Sequence, residues 1–224
     1  QNKKEEPGAE EDPCNDPTKN CGADSMDYGK RAKKERTNNT DPVYLHSGEF
    51  YLNEVDLRIP GRGKDFIWAR KYRSQIGRDT PQGNNWDCSY RIRVEEDGNG
   101  DILVFDGNSR VDGYELQEDG TFAKNEFFRV LSRNADGGFT LEYPDTGKWV
   151  FFPIDASARS GRLNLIIDRN GNAEQIQYDD QGRVQTIIDT LDRPIRVAYN
   201  VDGFIESVTD FSGRSVRYEY YDGV

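Results

Sequence analysis

From about residue 43 onward, apolar and polar residues alternate in short runs that are repeatedly cut off by glycine, asparagine or aspartate. Successive side chains of an extended chain point to opposite faces, so each run predicts a half-buried strand. Asp101 to Phe105, Phe127 to Leu131, Phe139 to Tyr143 and Lys148 to Phe152 are such runs. Between them lie Asp97-Gly98-Asn99-Gly100, Asn134 to Gly138 and Asp145-Thr146-Gly147. Asp-Gly and Asn-Gly accept the left-handed geometry of tight hairpins, so strand and turn signals agree. No long stretch has helical periodicity. The expectation is one continuous antiparallel meander from about residue 43.

Toward the C-terminus the pattern becomes periodic. Gly161 to Gln181, Gly182 to Asp202 and Gly203 to Gly223 share one 21-residue form. Gly161, Gly182 and Gly203 open the units, Asp168, Asp189 and Asp210 follow seven residues later, and Tyr178, Tyr199 and Tyr220 fall seventeen residues after the glycine. Glycine supplies positive φ and aspartate bonds to backbone two residues on, so each unit holds two turns with a strand leading into each. The second strand alternates cleanly, with Glu174, Ile176 and Tyr178, then Ile195, Val197 and Tyr199, then Val216, Tyr218 and Tyr220 on one face. In the first strand Leu163, Val184 and Ile205 precede Ile166, Ile187 and Val208 by three residues, which a plain strand cannot place on one face. A bulge or bend is expected there. A period of this size predicts stacked copies of one unit, each covering its neighbour's apolar face. Because the third copy closes one residue before Val224, the chain reads as the first part of something longer.

Composition supports an all-β fold: 12 Tyr, 11 Phe and 3 Trp suit a pleated surface, and 22 Gly with 9 Pro supply turns. Residues 1–42 differ. They mix Glu5, Glu6, Glu10, Glu11 and Asp12 with Lys30, Arg31, Lys33, Lys34 and Arg36 and hold almost nothing large and apolar besides Met26 and Tyr28. Such a segment cannot bury enough surface to offset chain entropy, so by itself it is a polar tail that packing against the β region or a neighbour would have to order. The expected organisation is therefore a tail over 1–42, a β domain over 43–160 and three repeats over 161–224.

The form G-R-L-x-x-I-x-D-x-x-G-x-x-x-x-Y-x-Y-D resembles the YD repeat of the Rhs family, shared by bacterial polymorphic toxins, toxin-complex shell proteins and animal teneurins. The copies drift: Gly203-Phe204 replaces Gly-Arg, Asp192 and Arg193 occupy the middle turn of the second copy, and Asn200 follows Tyr199. Ahead of the repeats, Leu45-His46-Ser47-Gly48-Glu49-Phe50, Val55-Asp56-Leu57-Arg58-Ile59-Pro60-Gly61, Arg70-Lys71-Tyr72-Arg73-Ser74 and Trp86-Asp87-Cys88-Ser89-Tyr90 appear in order. Together they look like the region that precedes the repeats in many Rhs proteins, with Asn85 standing where that family usually has glycine. The resemblance covers roughly residues 43 to 224. It implies the N-terminal part of a β-shell, a hollow wall closed around a C-terminal toxin or effector of the same polypeptide. Its implied partners are the remaining shell, that cargo, and a secretion machinery or cell-surface receptor. The alternative it implies is a teneurin-like adhesion or carbohydrate-binding module, for which exposed tryptophan would be the sign. Trp68, Trp86 and Trp149 all lie in strand-like runs, which favours burial.

Candidate chemistry is sparse, and the expectation is a structural protein that is not an enzyme and uses no cofactor or metal. His46 beside Ser47 is the only start of a histidine-based triad, and it sits in a turn-like motif. With 41 Asp and Glu, a pair able to flank a glycosidic bond is nearly guaranteed and discriminates nothing. Asp168, Asn170 and Asn172 look like the start of a calcium loop, but Ala173 stands where that loop needs glycine, so a hairpin turn is preferred. Cys14 and Cys21 can close a short disulfide loop worth roughly 2 to 3 kcal/mol; free thiols are the alternative, and a zinc site lacks ligands. Cys88 reads as a small buried hydrophobe. Placement outside the cell or on its surface fits such a disulfide and a Gln1 left by signal-peptide removal, although a proteolytic or cloning boundary explains Gln1 equally well and loading in the cytoplasm for export also fits. A net charge of −11 opposes nonspecific nucleic-acid binding, and no run approaches the roughly 18 apolar residues of a membrane span, so neither nucleic acid nor membrane insertion is expected.

Overall fold

The computed structural model describes residues 42–44, 47–123, 128–144 and 146–221, and among these every regular element is a β-strand. Strand β1 (Val43–Tyr44) pairs with β2 (Glu49–Ile59), and β2 with β3 (Phe66–Arg73), all antiparallel. A small hairpin of β4 (Asp79–Thr80) and β5 (Gly83–Asn84) follows, and β6 (Trp86–Cys88) then returns to the free side of β3. Strands β7 (Ile92–Glu96), β8 (Ile102–Asp106) and β9 (Val111–Tyr114) make a three-stranded meander.

The largest sheet has nine strands in sequence order: β10 (Val130–Arg133), β11 (Phe139–Tyr143), β12 (Gly147–Phe151), β13 (Leu163–Asp168), β14 (Ala173–Tyr178), β15 (Val184–Ile188), β16 (Pro194–Tyr199), β17 (Ile205–Thr209) and β18 (Ser215–Arg217). Each repeat contributes one hairpin, and neighbouring hairpins hydrogen-bond side by side. The sheet begins thirty-odd residues before Gly161, because β10 to β12 carry the same alternation without the repeat's punctuation.

Two expectations need correction. The chain from residue 43 is not one meander; its strands divide among four sheets. The repeats also do not cover one another. Hairpins lying edge to edge in one sheet share a single apolar face, so a neighbour in the plane cannot bury it. Ile176, Ile187, Ile195 and Val208 instead belong to one core with Leu57, Ile59, Phe66, Trp68, Tyr90 and Val94 of the N-terminal strands.

The three-residue interval in the first strand of each repeat is resolved by a bulge in the same place each time. Phe151 pairs with Leu163 while Val150 pairs with Leu165, leaving Asn164 extra. Gln185 and Glu206 are extra in the second and third copies by the same register shift. One inserted residue turns an odd interval into an even one, so Leu163 with Ile166, and Ile205 with Val208, all point into the core. The second strands alternate as the sequence predicts: Ile176, Ile195 and Val197 are buried, and Gln175, Gln177 and Arg196 are exposed. Trp68 and Trp149 are buried, whereas Trp86, at the rim of the first sheet, is only half-buried under the Arg70 guanidinium, 4.9 Å from its ring.

Candidate functional site

The turns of the repeats are built by their acidic side chains. The N–H groups of Asn170 and Asn172 donate to Asp168 Oδ1 at 2.8 and 2.9 Å. Those of Leu191 and Arg193 donate to Asp189 Oδ1, and those of Ser212 and Arg214 to Asp210 Oδ1. The second oxygen holds the residue four positions on: Asn172 Nδ2 on Asp168 at 2.8 Å, Arg193 Nε on Asp189 at 2.7 Å and Arg214 Nε on Asp210 at 2.6 Å. Burial pushes the Asp210 carboxyl upward, but the bonds from Ser212 and Arg214 outweigh it and leave the group at about 2. These carboxylates are occupied as backbone clamps, and the calcium-like spacing at Asp168 is a hairpin turn.

Tyr178, Tyr199 and Tyr220 each donate a hydroxyl hydrogen bond to the carbonyl fifteen residues earlier: Leu163 at 2.7 Å, Val184 at 3.0 Å and Ile205 at 2.8 Å. The accepting residue opens the first strand, immediately before its bulge, so each tyrosine ties the two strands of its own unit at their open end. The rings themselves meet different partners from copy to copy. Tyr178 meets Phe152 edge-on, Tyr199 lies under the Arg183 guanidinium and Tyr220 stacks on Phe204. Burial raises the pKa of all three phenols, Tyr220 to about 12, which keeps them donors.

The N-terminal strands grip this array at three places. The loop after β2 drops onto the turns of the first two repeats: Arg62 N–H donates to Thr190 Oγ1 at 2.7 Å, and Arg193 donates to the Pro60 carbonyl. Glycine is required for that approach, because a Cβ on Gly61 would lie 2.1 Å from the Lys64 carbonyl oxygen and 2.7 Å from Thr190 Oγ1, and one on Gly63 would lie 2.1 Å from Asp168 Oδ2. The Pro-Gly-Arg-Gly run is thus a docking loop.

Deeper in, Lys64 Nζ contacts Glu174 Oε2, which also accepts from the Tyr90 hydroxyl at 3.1 Å. Tyr90 is fixed by stacking on Phe66 and Trp68. Burial first, and Glu174 second, raise its pKa well above the ordinary value. Near the third repeat, Asp56 Oδ2 receives Arg70 Nε at 2.6 Å and the Tyr218 hydroxyl at 2.7 Å. The Pro81 carbonyl accepts from Ile205 N–H at 2.7 Å, so the small β4–β5 hairpin reaches the same unit.

Asp56, Arg70 and Tyr90 fall in the motifs ahead of the repeats, and Glu174 and Tyr218 in the alternation of the second strands, but neither spacing nor motif pairs them with one another or with Lys64. One signal was available: Glu174 is a carboxylate at a core register of β14, and a buried charge needs a partner. Cys14, Cys21 and His46 lie outside the described residues. Cys88 is buried, and burial followed by Asp87 pushes its thiol up to about 12, which suits an inert core residue. No group of three or more metal-capable side chains occurs among the described residues.

Residues 40–114 match the family described as "Domain of unknown function (DUF6531)", which is found in Rhs/YD-repeat proteins. The chain is 27% identical over 162 residues to the "Probable deoxyribonuclease RhsB" of Dickeya dadantii (strain 3937), covering 62% of this chain and 11% of that protein. It is 26% identical over 136 residues to the "tRNA nuclease WapA" of Bacillus subtilis (strain 168), covering 60% of this chain and 6% of that protein. The chain thus spans about a tenth or less of the length of these relatives. These similarities bear out the Rhs/YD-repeat resemblance carried by the motifs.

Proposed function

We propose that this chain builds the opening of an Rhs/YD-repeat wall, with the N-terminal strands capping the apolar face of the first repeats and the wall enclosing a C-terminal toxin or effector of the same polypeptide. The observation that carries the proposal is the grip of residues 56–90 on all three repeats through the docking loop, the Lys64–Glu174–Tyr90 cluster and the Asp56–Arg70–Tyr218 cluster. A sheet of side-by-side hairpins has an open apolar face, and hairpins in the same plane cannot cover it. A segment bonded to three successive repeats answers that need.

In this proposal the chain catalyses no reaction on a substrate. The nuclease activities named for its relatives are properties of proteins of which the matched region is 11% or less, and they would reside in a cargo outside this segment. The partners are the rest of the wall and that cargo, with a secretion machinery or cell-surface receptor met afterwards. An adhesive or carbohydrate-binding role would call for aromatic platforms open to solvent. Burial of Trp68 and Trp149, and the Arg70 cover on Trp86, favour the cap.

Limited proteolysis of the full-length protein tests the proposal. The C-terminal polypeptide should resist protease in the parent and become cleavable when Gly61→Val and Gly63→Val together unseat the docking loop. A C-terminal part equally accessible in both proteins would refute enclosure by a capped wall.

A further inference from the structure

Lys64 and Glu174 reach each other across the interface, one from the docking loop and one from the first repeat. The Glu174 side chain is wholly buried and that of Lys64 is 13% exposed. Nζ contacts Oε2, the Tyr90 hydroxyl donates to the same oxygen, and Oε1 is buried with no hydrogen-bond partner. A buried carboxylate with one satisfied oxygen is a poor resting state for an ion pair, since desolvation of both charges is only partly offset. A neutral amide would relieve that penalty.

We propose that Lys64 and Glu174 form a modification site at which the two side chains condense into an intramolecular amide, joining the N-terminal segment covalently to the first repeat. A proton passes from the ammonium to Oε2, the carboxylate oxygen it contacts, which neutralises both groups without solvent. The amine lone pair attacks Cδ, and the N–Cδ bond forms while negative charge gathers on Oε1. A second proton moves from nitrogen to Oε2, the Cδ–Oε2 bond breaks and water leaves, with the Tyr90 hydroxyl donating to the departing oxygen. One hydrogen stays on the amide nitrogen and Oε1 becomes the carbonyl oxygen, so atoms and charge balance with no oxidant or added reagent. Fixed proximity in a dry pocket makes a condensation unfavourable between free side chains effectively unimolecular. Tyr90 acts as a positioning donor because its ring is held between Phe66 and Trp68. The inference rests on the docking geometry and is independent of what the wall encloses.

Intact-mass spectrometry of the purified chain, denatured and reduced, followed by protease digestion, tests it. The expected result is a mass one water below that of the linear sequence, together with a branched peptide containing both Lys64 and Glu174. Lys64→Arg, which keeps the charge but cannot condense, should restore the full linear mass, as should Glu174→Ala. A parent chain of full mass overturns the proposal. So does a water loss that maps to an Asp-Gly succinimide, with Lys64 and Glu174 in separate peptides.

Discussion

Gly161, Gly182 and Gly203 occupy one position in three copies of one repeat, yet the structure assigns them unequal tolerance of a methyl group. All three have positive φ, at 63°, 73° and 87°. Each Gly→Ala substitution therefore carries a common backbone penalty of roughly 1–2 kcal/mol. At Gly203 nothing lies within 4 Å of the added Cβ, so that penalty is the whole effect. At Gly182 the Cβ would lie 1.9 Å from the Ala158 carbonyl oxygen, and at Gly161 it would lie 2.1 Å from that of Val94. Those atoms belong to backbone and cannot swing aside, so a strand or loop must shift at a further cost of about 1–3 kcal/mol. The expectation is about 1–2 kcal/mol for Gly203→Ala and about 2–5 kcal/mol for Gly161→Ala and Gly182→Ala. Urea unfolding of the three variants, with tryptophan fluorescence reporting on buried Trp68 and Trp149, measures this directly. Equal losses, or the greatest loss at Gly203, would refute the claim that packing against the rest of the chain separates these positions.

Three further outcomes are expected. Asp192 takes φ 60° where the first and third copies have Gly171 and Gly213, so Asp192→Gly should stabilise the chain by about 1 kcal/mol in the same urea assay; a destabilised variant would contradict the strain. Tyr199→Phe removes the tie to the Val184 carbonyl and should cost about 1 kcal/mol, lowering the melting temperature by a few degrees; an unchanged melt would leave that hydroxyl without a structural role. Burial, opposed by hydrogen bonds from Asn108 and Arg110, raises the Asp106 carboxyl from 3.8 to about 6. Between those values the folded protein holds a proton that the unfolded chain releases, so the group's contribution falls as pH rises through that window, by about 3 kcal/mol in all. Asp106→Asn keeps the acceptor for both N–H groups and should show a shallower loss of stability between pH 4 and 6.5 than the parent; identical slopes would exclude Asp106 as the source.

The repeat sheet was largely legible in the sequence, because strand alternation and Asx-type turns are local devices. Asp168, Asp189 and Asp210 hold backbone N–H groups and side chains no more than four residues on, so their role follows from spacing alone. The bulge was legible for the same reason: a three-residue interval between core positions admits few other solutions. The clasp was not legible. Lys64 and Glu174 are far apart in the chain, and neither lies in a motif that predicts the other. The motif around Gly61 and Gly63 was visible, but what required its glycines was the turn of another element.

Sequence by itself determined the β class, the 21-residue unit, its turns and the alternation of its faces, since each depends on backbone preferences of a few neighbouring residues. Only the tertiary structure decided what covers the apolar face. Adjacent hairpins in one sheet leave that face open, and the N-terminal strands close it with contacts between residues more than a hundred positions apart, such as Arg62 with Thr190 and Asp56 with Tyr218. Pairings at that range depend on how whole sheets are brought together, and no period or spacing along the chain encodes them.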